Sequence, residues 1–337
     1  MQHKYFRRIA LVATILALFV VVLGAYVRLS DAGLGCPDWP GCYGHLTVPQ
    51  ADEHVSKANQ AYPERPVEAA KAWKEMVHRY FASTLGLLIV IMAIVGWRNR
   101  NQQGQQFRLP VFLVALVIFQ GLLGMWTVTI KLNPTIVMLH LMGGMTTLSL
   151  LWWVSLRQSK MFLPYSSYPT QLKPYTNLAV IGLIIVIFQI MLGGWTSSNY
   201  AALVCSDFPT CQGDLIPPTD FGEAFHLWRG TETNFEYGVL DNTARVTIHF
   251  VHRVGALITF LFIGWLAYKL AFKSEVDMLK RLGFILLFVL LLQVSLGIAN
   301  VLLSLPLLVA VAHNGVAALL LLTLVTLNHT LNPKKLM

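Results

Sequence analysis

Eight runs of about 18 to 25 apolar residues, near 9–27, 79–97, 109–130, 136–156, 177–196, 249–272, 283–303 and 308–327, dominate this chain. At about 1.5 Å of rise per residue, each run as a helix covers the roughly 30 Å hydrocarbon core of a bilayer. Of the 337 residues, 55% are hydrophobic and only 12% are charged, which sets the chain apart from a soluble domain with an ordinary core. The expected fold class is an all-α integral membrane protein with eight transmembrane helices.

The runs are organised by a duplication. Cys36-Pro-Asp-Trp-Pro-Gly-Cys42 and Cys205-Ser-Asp-Phe-Pro-Thr-Cys211 share the pattern C-x-D-[WF]-P-x-C, 169 residues apart. His78-Arg79 corresponds to His252-Arg253, His140 to His313, and Gln120 and Gly124 to Gln293 and Gly297, at offsets of 173 or 174. The expected architecture is two tandem four-helix bundles, residues 1–160 and 161–337. An even number of spans returns the second copy to the orientation of the first, so the pseudo-twofold axis runs along the membrane normal. The short connections Lys131 to Thr135 and Ser304 to Leu307 make the helices they join antiparallel neighbours. Residues from Pro66 to His78 read as a helix, with Pro66 in its first turn, running on into the second span.

A net charge of +9 raises the question of nucleic acid, but the basic residues alternate between segments. Lys4, Arg7, Arg8, Arg98, Arg100, Arg108, Arg157, Lys160, Lys173, Lys269, Lys273, Lys280, Arg281, Lys334 and Lys335 fall in the segments on one side. That is the pattern of cytoplasmic segments, so the partner is membrane lipid and no nucleic acid is expected. Residues 197–247 hold only Arg229 and Arg245 against seven acidic residues, and face outward. Both termini are then cytoplasmic and the cysteine loops periplasmic, in a bacterial inner membrane. The first span has the basic flank of a signal peptide, but Gly24-Ala-Tyr-Val-Arg28 is a poor cleavage site and the repeat needs a helix there.

Cysteines on that side can be oxidised. Four cysteines allow three pairings, and closure within each short loop, Cys36 with Cys42 and Cys205 with Cys211, costs the least chain entropy. The pairs are either structural clips or redox-active.

His78 and His252 stand at the outer starts of their spans, and His140 and His313 about five residues inside theirs. All four share one level of the membrane. Polar residues there are costly and usually functional, and two histidines on two helices of one bundle can ligate a metal from opposite sides. Zinc would want three or four close ligands, which neither bundle supplies at ligand spacing. Haem asks for axial histidines, an apolar pocket and cations near its propionates. Arg79 and Arg253 are placed for the propionates, or else snorkel to the interface. His249, one turn before His252, is an alternative ligand, a cofactor-side residue or a proton-handling group. Its repeat counterpart is Glu75, a carboxylate able to accept protons beside a macrocycle, which marks the first bundle as the reactive one.

Together, Glu75-x-x-His78-Arg79, His140, His252-Arg253, Ala312-His313-Asn-Gly315 and the two C-x5-C loops resemble the haem A synthase family over essentially the whole chain. The resemblance implies an enzyme that oxidises the C8 methyl of haem O to a formyl group by successive hydroxylations, supplying haem A to terminal oxidases. It implies haem b as cofactor, its iron held by His252 and His313. It places substrate haem O between His78 and His140, with Glu75 catalytic near the methyl. Cys36 and Cys42 correspond to the family's outer disulfide. Haem O synthase, the protohaem farnesyltransferase, is an expected partner, and an electron acceptor is required.

Other readings are a bis-histidine dihaem electron-transfer cytochrome, a periplasmic-facing thiol-disulfide oxidoreductase and a transporter. All ligand candidates share one level, which suits a local reaction better than conduction across the bilayer. A thiol oxidant leaves four matched histidines idle, and neither repeat shows the broken helix pair of a transporter.

Overall fold

A computed structural model describes residues 2–102, 104–159 and 169–332. The helices are α1 (Gln2–Leu29), α2 (Asp52–Ala61), α3 (Ala69–Arg98), α4 (Arg108–Thr129), α5 (Pro134–Arg157), α6 (Pro169–Ser198), α7 (Phe221–Ala224), α8 (Asn242–Tyr268), α9 (Asp277–Leu302) and α10 (Leu307–Leu331). A π-helical turn, Lys269–Lys273, continues α8. Eight of these helices are long and apolar enough to cross a membrane, one for each apolar run. The chain is a multi-pass membrane protein. Lys160, Lys334 and Lys335 of the charge pattern lie outside the described residues.

α1 packs against α3 and α5, and α4 against the same two, closing a ring of four. α6, α8, α9 and α10 close a second ring in the same way, and the two meet where α1 and α5 touch α10 and α5 touches α6. Among apolar lipids helices associate by close packing rather than by hydrophobic burial. Ala10, Ala13 and Ala17 supply it on α1, being buried at one-turn spacings that let neighbouring backbones approach. Phe6, Ile89, Met92, Leu113 and Leu148 fill one end of the first ring, and Leu266, Leu270, Leu279 and Leu324 the same end of the second, all fully buried. Trp152 Nε1 donates to Thr326 Oγ1 at 2.9 Å, joining α5 to α10.

The other end of each ring carries the disulfide loops. Asp38 accepts hydrogen bonds from the amides of Tyr43 (2.6 Å) and Gly44 (2.7 Å), and Asp207 from those of Gln212 (2.7 Å) and Gly213 (2.9 Å). The shared Asp thus folds both loops alike. The duplication reaches the backbone of the short connections too: Lys131 and Leu132 take φ of 45° and 60°, and Ser304 and Leu305 take 57° and 61°.

The segment 199–241 of the second half lies across the first. Phe235 N donates to Lys131 O (3.0 Å) and Asn133 Nδ2 to Gly230 O (3.3 Å), while Arg65 pairs with Glu236 at 2.6 Å. One expectation fails locally: α3 begins at Ala69, not at Pro66. The amide of Val67 donates to the Asn59 side chain at 2.8 Å, and Tyr43 Oη donates to Pro66 O at 3.2 Å, which hold these residues in an extended approach.

Candidate functional site

The four membrane-level histidines sit two to a ring, in the half nearer the disulfide loops. His78 on α3 and His140 on α5 lie within electrostatic range of each other, as do His252 on α8 and His313 on α10. Each imidazole faces a glycine on an adjacent helix. A Cβ added at Gly24 would come 3.0 Å from His78 Cε1, at Gly124 3.3 Å from His140 Cε1, at Gly193 3.2 Å from His252 Cε1, and at Gly297 3.1 Å from His313 Cε1. Any larger residue would displace these rings. The four half-buried imidazoles, two to a ring, are nitrogen donors of the kind that would hold a haem iron.

Glutamines hold several of the rings. Gln120 Nε2 on α4 donates to His140 O at 2.6 Å and lies 3.2 Å from His140 Nδ1. Gln189 Nε2 on α6 donates to His252 O at 3.1 Å and lies 3.1 Å from His252 Nδ1. Gln293 Nε2 on α9 lies 3.3 Å from His313 Nε2. Gln120 and Gln293 stood out in the sequence as a repeated pair. Gln189 and its glycine did not, although Gln120-x3-Gly124, Gln189-x3-Gly193 and Gln293-x3-Gly297 share one spacing that could have found them.

Glu75 is buried, only 5% exposed. Its Oε2 accepts the backbone amide of Cys36 at 2.9 Å, and its Oε1 pairs with Arg79. Burying a carboxylate alone would be prohibitive, so this double contact is what permits it. Arg79 also donates to the carbonyls of Asp38 (3.0 Å), Pro40 (3.3 Å) and Gly41. Arg253 repeats the motif, donating to Thr210 O at 2.6 Å and Cys205 O at 3.0 Å. Both arginines are therefore committed to their own disulfide loops; the Nε of Arg253 is buried without a partner among the described residues.

His249 occupies the place of Glu75 but bonds differently. Its ring is hydrogen-bonded to the backbone of Ala201, and its Nδ1 is buried without a partner among the described residues. Among the described residues no side chain caps the Cys205 amide as Glu75 caps that of Cys36. The cysteines pair as expected, Cys36 with Cys42 and Cys205 with Cys211.

Outside the helices, the hydroxyl of Thr210 and the amides of Gly213 and Gln212 hold Asp207 down to about 2. Burial pushes the Tyr43 hydroxyl up to about 12, and the hydrogen bond from Arg65 to Glu236 raises Arg65.

A family model for COX15-CtaA, described as Cytochrome oxidase assembly protein, matches residues 7–325. A protein named Heme A synthase from Shewanella oneidensis is 49% identical over 331 residues, covering 98% of this chain and 97% of its own. One of the same name from Mesorhizobium japonicum is 27% identical over 326 residues, with 92% of this chain and 86% of the relative covered. A third, from Shouchella clausii, is 29% identical over 222 residues, 64% of this chain and 67% of the relative.

Proposed function

Because the chain belongs to the COX15-CtaA family of cytochrome oxidase assembly proteins, we infer that it oxidises haem O to haem A in the membrane. The observation that carries this reading is 49% identity to a named Heme A synthase over 331 residues, 98% of this chain, a span that takes in both rings. Substrate haem O binds between His78 and His140 in the ring of residues 1–160. Haem b would be held by His252 and His313 in the ring of residues 161–337 and would supply one-electron redox chemistry there. The two rings act as tandem four-helix bundles related by a pseudo-twofold axis along the membrane normal.

The residues divide the work. His140 and His252 are presented by their glutamines, and the facing glycines leave room for the imidazoles beside the helix backbone. Taking the C8 methyl to a formyl group with oxygen from water gives up electrons to an external acceptor and releases protons at each oxidation, and Glu75, one turn from His78 and held by Cys36 and Arg79, accepts those protons. His249 stands at the equivalent place beside the haem b site and carries no carboxylate. Arg79 and Arg253 bring positive charge to the propionate end, and Arg253 Nε is the donor left for it.

The distribution of basic segments supports an orientation with both termini in the cytoplasm and the disulfide loops in the periplasm of a bacterial inner membrane. Haem O, being lipophilic, arrives laterally from the protohaem farnesyltransferase that makes it. Expression with and without that farnesyltransferase, followed by extraction and chromatography of the bound haems, tests the reading. Haem A should appear only when haem O is made, and protein that holds no haem in either case would end the proposal.

A further inference from the structure

The same position in the two halves carries different residues, and the difference bears on which haem can leave. On α6, Gln189 lies one turn before Gly193, and both meet His252: the glutamine at the ring and backbone carbonyl, the glycine at the ring edge. On α1, at the same offset of 169 that relates the disulfide loops, Val20 lies one turn before Gly24, and only the glycine meets His78. A valine has nothing to offer an imidazole. His78 Nδ1 is buried without a partner among the described residues. Across that ring, His140 has its two-point contact from Gln120.

We propose that Gln120 and Gln189 are positioning residues that clamp the axial ligands His140 and His252, and that the valine at position 20 makes His78 the ligand released when haem is exchanged. The proposal rests on the functional reading above and extends it to the order of events. A resident cofactor needs ligands whose orientation is prepaid, because each clamped ring loses less freedom on binding iron. A substrate that becomes product must depart, so one of its ligands has to let go. His140 keeps the macrocycle in register while His78 opens towards the α1–α3 side. In the second ring His252 is clamped at two points; Gln293 Nε2 lies 3.3 Å from His313 Nε2, although the Nδ1 of His313, like that of His78, has no partner among the described residues. Of the four histidines His78 is thus the one with no glutamine contact among the described residues, and the second ring keeps its clamped ligand.

The test uses the full-length protein loaded with haem O and haem b. Haem transfer to excess apomyoglobin is followed, and the haems remaining are extracted and identified at intervals. In the wild type, haem O should leave well before haem b. Val20→Gln supplies the missing donor and should slow haem O release about two- to tenfold, the range expected for one net hydrogen bond. Gln189→Val should speed haem b release by a similar factor and alter its low-spin optical bands, whereas a residue that served only packing would leave those bands in place. Should Val20→Gln not accumulate, Gln120→Val tests the same ring in the opposite sense, with faster release of haem O. Unchanged release rates in variants that bind haem with the wild-type spectrum would overturn the assignment. Failure of the wild type to bind haem at all would instead sink the functional reading, and this inference with it.

Discussion

Glu75 Oε2 accepts the backbone amide of Cys36 at 2.9 Å, so the carboxylate assigned to catalysis hangs directly from a disulfide-bonded residue. Arg79 closes the arrangement by bonding Glu75 on one side and three loop carbonyls on the other. The loop and the carboxylate thus form one rigid unit.

Replacing Glu75 by Gln keeps the shape and removes the base. Haem A formation should fall by about 10²-fold or more, the usual scale for loss of a general base, with haem O still bound. Glu75→Ala should in addition lower stability by about 3 kcal/mol, because it leaves Arg79 charged in a confined site. Product chromatography and a thermal melt separate the two effects.

The two disulfides should respond unequally. Opening a loop this short costs about 2 kcal/mol in the chain-entropy picture, so Cys36→Ala and Cys205→Ala should lower stability alike. Only Cys36→Ala should also slow turnover per folded molecule, since only that loop positions a carboxylate. Equal turnover in both variants would leave the first pair as a clip and nothing more.

A Cβ at Gly193 would stand 3.2 Å from His252 Cε1, tight enough that the ring must give way, and a branched side chain presses on it further. Gly193→Val should turn the ring away and reduce haem b to well below one per chain, measured as the pyridine haemochrome. Gly230→Ala, at a loop glycine with no atom within 4 Å of the added Cβ but a φ of 82°, should leave haem content intact while straining the loop locally.

Much of this was legible in the chain because the duplication repeats it. His78, His140, His252, His313 and both cysteine pairs were found by their matching offsets, and the structure brings the histidines together in twos and closes the disulfides locally. Gln189 escaped because its counterpart is Val20, and a search for what repeats discards what does not. The arginines were read as placed for the propionates or snorkelling to the interface; that Arg79 also meets carbonyls 38 to 41 residues away in sequence is a contact that no local pattern announces. The start of α3 shifted to Ala69 for the same kind of reason, a side chain from α2 capturing the Val67 amide.

The second disulfide loop should show a simple acid response. Asp207 is held down to about 2 by the Thr210 hydroxyl and then by the amides of Gly213 and Gln212. A depressed carboxylate stabilises the fold above its ordinary pKa of about 4, and that contribution fades as the pH falls through about 2. Protection of the Gly213 amide from hydrogen exchange should therefore persist at pH 5 and decline between about 4 and 2. In Asp207→Asn it should already be weaker at neutral pH and show no such decline.

The division of labour between the rings is tested most directly by counting haems in two histidine variants purified from cells that make haem O. His252→Ala should lose haem b, whereas His78→Ala should keep a full complement of haem b and form no haem A. Loss of haem b from His78→Ala with its retention in His252→Ala would contradict the account, because the cofactor would then reside in the ring that holds Glu75.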